Sequence, residues 1–201
     1  MQKDILALPG YRTHEYLLVL QPHEDLWNRI IQVKNDFAEK FEAPSAAWGK
    51  PHITLARFSQ LQMMEERILN RLRMVAMGMP AFKVELKDFG SYPSHTIYID
   101  VATKVAMQIL IKHLKAAQPL LKSKEVKPHF MDNFFVTVGR RLLPWQYEKA
   151  WLEYSHRHFT GRFIAKQMLL LRKAEGATSF HPIQSFEFMN MPVVTTQGAL
   201  F

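Results

Sequence analysis

Lys50-Pro51-His52-Ile53-Thr54-Leu55-Ala56-Arg57 returns in altered form at Asn133-Phe134-Phe135-Val136-Thr137-Val138-Gly139-Arg140. Each stretch carries a ring, a threonine two residues on, then a small residue and an arginine, and Phe135 stands in the slot that His52 fills. Side chains two apart share a face of a strand. An ideal strand therefore puts His52, Thr54 and Ala56 on one side and Ile53, Leu55 and Arg57 on the other, and likewise groups Phe135, Thr137 and Gly139. Each copy offers a ring, a hydroxyl donor and a small residue that leaves space, an arrangement suited to a tetrahedral phosphate seated against a sheet. Two facing histidines would let one deprotonate an attacking oxygen while the other protonates the leaving one, with threonines holding the remaining oxygens and no metal required. The repetition predicts a single domain over 1–201, with pseudo-repeat lobes centred on 52–58 and 133–142.

Around these strands the order of elements is legible. Tyr16 to Leu20 is a short apolar run that suits a buried strand. From Glu24 to Phe41, Leu26, Ile30, Val33, Phe37 and Phe41 recur at helical spacing, which predicts a helix with Asn28, Arg29, Lys34 and Glu39 on its wet face. A strand is expected over His52 to Phe58 and a second helix from Met63 to Met77, ended by Gly78-Met79-Pro80. Ala81 to Phe89 alternates with period two, and His95 to Val101 is rich in β-branched and aromatic residues, so both read as strands. Thr103 caps a helix reaching Leu121, and the second motif strand follows at Asn133 to Leu142. A helix begins at Pro144 and is closed by Gly161. One strand over Phe163 to Arg172 and another over Phe180 to Met189 precede a polar tail. The fold class expected is α+β, a bilobal duplicated fold with two antiparallel or mixed sheets flanked by helices around a central cleft.

The chain has 201 residues, 48% of them hydrophobic, enough for a proper core. Lys and Arg number 26 against 18 Asp and Glu, a net charge of +8 that favours anionic ligands such as phosphates or RNA. The densest basic cluster, Lys122 to Lys127, equally suits a solvated loop. Cysteine is absent, which excludes disulfides, thiol nucleophiles and thiolate metal sites. Met1 to Gly10 lacks the charged-then-apolar design of a signal peptide, and no apolar run approaches the roughly 20 residues of a membrane span, so a cytoplasmic protein without membrane association is expected.

The two motifs, with Pro51-His52-Ile53-Thr54-Leu55-Ala56-Arg57 matching in full, resemble the paired His-x-Thr motifs of the two-histidine (2H) phosphoesterase superfamily, in particular its 2′-5′ RNA ligase-like branch. The similarity spans Tyr16 to Met189. It implies a bilobal duplicated α+β fold and action on 2′,3′-cyclic phosphates, 2′-5′ linkages or related nucleotide phosphates, with no cofactor and no metal. It also implies catalytic roles for His52, Thr54 and Thr137, and a phosphorylated nucleotide or RNA end as partner of a monomer. The departure is Phe135 in place of the second histidine. A phenyl ring transfers no proton, and loss of one general acid or base typically costs about 10²- to 10⁴-fold in rate. Catalysis is then reduced or rerouted, and Phe135 either stacks on a base or fills space. The alternatives are an inactive RNA- or nucleotide-binding module and an interaction scaffold.

Lys50, Arg57, Arg140 and His129 complete the candidate substrate contacts. On an ideal strand Arg57 and Arg140 face away from the threonines, so a phosphate contact at the strand end and an outer-face salt bridge are both open. Lys127-Pro128-His129 repeats Lys50-Pro51-His52, which makes His129 either a substitute for the missing histidine or an ordinary loop residue. His52 itself has a structural alternative. His95 reads as a strand-end or core histidine, and His156 and His158 as complements to a helix C-terminus. Met74, Met77, Met79, Trp145 and Trp151 read as packing residues.

Overall fold

Thr13–Leu20 forms strand β1, whose alternate side chains His14, Tyr16, Leu18 and Leu20 are buried. In the computed structural model residues 10–123 and 126–191 are described. The stretch before Gly10, positions 124–125 of the lysine-rich loop and the tail after Met191 lie outside them, as does most of the segment read for a signal peptide. Helix α1, Glu24–Lys40, follows with Leu26, Ile30, Lys34 and Phe37 as its buried residues. Strand β2 is Ile53–Leu61, helix α2 Glu65–Met77, strand β3 Phe82–Tyr92 and strand β4 Thr96–Val101. The expected long helix after Thr103 is broken into α3, Lys104–Leu114, a 3-10 turn and the short α4, Gln118–Leu121, with Pro119 in the first turn of the last piece. A two-residue strand β5, His129–Phe130, precedes β6, Phe135–Arg140, and helix α5 is Pro144–Tyr154.

The single strand expected over 163–172 is two: β7, Thr160–Ala165, and β8, Gln167–Lys173, followed by β9, His181–Glu187. Only Lys166 separates β7 from β8, yet they pair with different partners, β7 with β3 and β8 with β1. Gly161 lies inside β7 rather than closing α5. A Cβ there would come within 2.6 Å of the Leu26 side chain, so the glycine lets α1 approach the strand.

All strand pairs are antiparallel, in the order β7-β3-β4-β6-β2-β1-β8-β9 with β5 beside β2. The fold class is α+β. β7 and β8 sit towards opposite ends of this order while adjacent in the chain, so the sheet must curl until its ends approach. Phe188 N–H donates to the Lys166 carbonyl at 2.8 Å, and the Phe82 and Phe188 rings stack 6.0 Å apart where they meet. Helices cover the outer face. α1 and α5 lie behind the β6 half, where the Phe37, Phe41 and Tyr154 rings cluster, and α2 and the α3–α4 segment lie behind the β2 half. The halves meet at the middle of the sheet through one pair, Ile53 with Val136. Met74 and Trp145, expected to pack, are about half exposed, whereas Met79 is buried.

Candidate phosphate-binding cleft

Ile53 and Val136 both bury their side chains on the helix face. In an antiparallel pair the flanking residues lie opposite one another and point to the other side. His52 therefore falls across from Thr137, and Thr54 across from Phe135, on the inner face. The four motif residues are brought together at the one place where the halves of the sheet touch, and all are partly exposed.

Both strands depart from ideal alternation at the same place. Leu18 pairs with Ala56 and Val19 with Thr54, which leaves Leu55 as an extra residue in β2. Ile97 pairs with Gly139 and Tyr98 with Thr137, which leaves Val138 extra in β6. Each is a bulge one residue past the motif threonine, and a bulge sends the next residues to the opposite face. The expectation that Arg57 and Arg140 face away from the threonines is thus corrected. Arg57, paired with Leu17, and Arg140, paired with Thr96, share the inner face with Thr54 and Thr137. Ala56 and Gly139, expected to leave room for phosphate, are instead buried against the helices. A Cβ on Gly139 would lie 2.7 Å from the Phe37 ring.

The arginines are not equivalent. Arg57 is ion-paired with Glu15, which also binds Lys173 at 2.7 Å, and these two partners hold the Glu15 carboxyl below its usual range. Arg140 has no carboxylate partner among the described residues. His52 Nδ1 donates to the Lys50 carbonyl at 2.7 Å, which fixes the tautomer and leaves the Nε2 lone pair available. Burial holds its pKa below the usual imidazole value, and the Lys34 and Arg140 charges add to this against the Lys50 carbonyl. The shift favours the neutral form, which a general base needs. Lys50 is exposed beside it.

His129 pairs with Arg57 across β5 and β2, exposed on the same face and level with Arg57. Thr137, not His129, is the residue across from His52. His95 is exposed at the start of β4, its Nδ1 donating to the Pro93 carbonyl, and His158 is bonded to Asp88 at 3.1 Å.

Phe135 packs with two tyrosines that sequence reasoning did not single out. Its ring centre lies 4.7 Å from Tyr98 and 5.6 Å from Tyr92, which are 5.2 Å from each other. Gly90 makes this possible, because a Cβ there would stand 2.5 Å from the Tyr98 ring. The cluster walls a groove of about 550 Å³ that also takes in Lys87, Asp100 and Lys104. Period-two alternation in Tyr98 and Asp100 carried the signal, but it names a face and not the cavity that face encloses.

Lys34 was missed outright. Expected to be wet, it is 4% exposed, and its Nζ donates to the Trp48 carbonyl at 3.2 Å. The spacing 26-30-34-37 places it on the buried stripe of α1, where its charge argued against burial. Among the described residues, no group of three or more His, Asp or Glu side chains gathers to hold a metal ion. Among the described residues, no helix is long and apolar enough to cross a membrane.

The model of the 2′-5′ RNA ligase superfamily matches residues 22–177, and the chain belongs to that family, the 2H phosphoesterases. Its fold is similar to that of TT0787 from Thermus thermophilus, with a TM-score of 0.61 and 14% identity over 87% of this chain and 98% of that one. Escherichia coli LigT complexed with 3′-AMP superposes with a TM-score of 0.57 at 15% identity, covering 88% and 98%. LigT complexed with NADP+ gives 0.56 at 13% identity, covering 88% and 99%. At such identities the likeness shows the fold. No curated protein matches the chain.

Proposed function

We propose that this chain binds a phosphate-bearing nucleotide or RNA end, of the 2′,3′-cyclic phosphate or 2′-5′ linkage class, in the cleft between two pseudo-repeat lobes of one domain. The observation that carries the reading is the quartet His52, Thr54, Phe135 and Thr137 around the Ile53–Val136 pair, with Arg140 on the same face. The threonine hydroxyls and Arg140 hold the phosphoryl oxygens, His52 is the one proton-transfer group, and Lys50 and Arg57 lie at the rim. LigT has been crystallised with 3′-AMP, NADP+ and ATP, which supports a nucleotide ligand here. The chain acts as a cytoplasmic monomer without cofactor or metal. Any phosphodiesterase activity is reduced, because Phe135 leaves one side of the phosphorus without an acid or base.

A second reading is a binding module without turnover. The aromatic groove favours it, since Phe135, Tyr92 and Tyr98 offer ring faces on which a base can stack where a second histidine would stand.

The test is hydrolysis of 2′,3′-cyclic nucleotides and 2′-5′ dinucleotides by wild type, His52→Ala and Phe135→His. Residual wild-type turnover should vanish in His52→Ala, and Phe135→His should gain about 10²- to 10⁴-fold. Wild type that binds but never turns over, with Phe135→His gaining hydrolysis, selects the binding module. Binding unchanged by Thr54→Val and Thr137→Val overturns the cleft.

A further inference from the structure

Lys34 is a buried ammonium without a counter-ion. It is 4% exposed and makes no ion pair among the described residues, and its one hydrogen bond is to the Trp48 carbonyl. Taking an ammonium out of water costs several kcal/mol unless a partner compensates, and one neutral carbonyl is a poor partner. Its surroundings are cationic instead. One turn along α1 the Phe37 ring packs on Gly139, the residue before Arg140, so Lys34 lies behind the end of β6. Trp48, whose carbonyl it holds, is two residues before Lys50, which orients His52. Burial first, and the Arg140 charge second, lowers the Lys34 pKa to about 8, and both Lys34 and Arg140 act on His52. β2 and β6 share only the pair Ile53–Val136, and the 3-10 turn Pro44–Ala46, just before Trp48, packs beside β6.

We infer that Lys34 is a further anion-binding residue of the cleft, and that with Arg140 it makes the site prefer a terminal phosphomonoester dianion to a cyclic phosphodiester monoanion. The inference rests on the phosphate-cleft reading. It adds the missing counter-charge: a bound dianion compensates both Lys34 and Arg140, which no carboxylate among the described residues does. Unlike Arg57, already neutralised by Glu15, these two cations lack anionic partners until ligand arrives.

The experiment measures calorimetric Kd values for adenosine 3′-monophosphate and adenosine 2′,3′-cyclic phosphate with wild type, Lys34→Met and Thr137→Val. Wild type should prefer the monophosphate, and Lys34→Met should lose about tenfold or more on it, as expected for one charge-assisted contact, with a smaller loss on the cyclic ester. The ligand-free Tm of Lys34→Met should hold or rise. Unchanged Kd values in Lys34→Met, or a lower Tm with unchanged affinity, overturn the role and leave Lys34 a structural brace for Trp48. Affinity lost in Thr137→Val but intact in Lys34→Met overturns Lys34 alone, whereas affinity unchanged in both overturns the cleft. Should Lys34→Met fail to fold, the ¹³Cε resonance of Lys34 in wild type decides. Its titration should move to higher pH under saturating monophosphate, and an unmoved titration overturns the inference.

Discussion

His52 and Phe135 occupy equivalent slots of two strands, and the chemistry of the cleft follows from their difference. The imidazole, held through Nδ1 and with its neutral form favoured by burial, presents a single basic nitrogen. The phenyl ring has joined two tyrosines and contributes surface in place of a proton. Lys34 carries the residue-level consequence most open to measurement. Its folded-state pKa of about 8 lies below the ordinary 10.5, so below pH 8 the ammonium is buried at full cost. Between 8 and 10.5 the unfolded chain binds a proton there that the folded chain does not, and stability rises with pH through that window. Lys34→Met removes the cost. It should be more stable than wild type at pH 7 by up to roughly 3 kcal/mol, an advantage that shrinks towards about pH 10. Urea unfolding of both proteins at the two pH values measures it, and a constant difference would show that Lys34 is not buried in charged form.

The matched bulges in β2 and β6 explain why each motif ends in a small residue and an arginine. One extra residue turns Ala56 or Gly139 under the helices and swings the arginine onto the face that carries the threonine. The small residue is thus a packing requirement of the strand, with Phe37 as the neighbour that enforces it behind Gly139. Gly139→Ala should destabilise the fold by about 1–3 kcal/mol through overpacking, and Phe37→Leu in the same chain should recover part of that loss. Thermal unfolding of the two variants and their combination tests this. Strictly additive losses would mean that the glycine serves its own backbone and not the helix contact.

The whole molecule is two halves of a sheet held by helices outside and by one strand pair in the middle. β1 and β2 pair along eight positions, whereas β2 and β6 share one. A sheet region with few ladder bonds opens at lower free energy than its neighbours. The backbone amides bridging β2 and β6 should exchange with deuterium faster than those bridging β1 and β2. Equal protection along both seams would show that the halves do not part there. The net charge of +8 adds attraction for anions over the whole surface, although Glu15 and Asp100 neutralise part of it locally.

Much of this was legible without coordinates. The paired ring-x-Thr-x-small-Arg motifs and the α+β order of elements follow from residue types and spacings, because apolar periodicity and turn residues act locally, and the family is suggested by what the motifs resemble. The tertiary structure alone decided which way Arg57 and Arg140 point, since a bulge is one unpaired residue that no side-chain pattern marks. It alone split 163–172 into β7 and β8, because strand partners are chosen by the closing of the sheet and not by the strand's own residues. And it alone buried Lys34: spacing put that position on the apolar stripe, charge argued for water, and only the packing of α1 behind β6 settled the conflict.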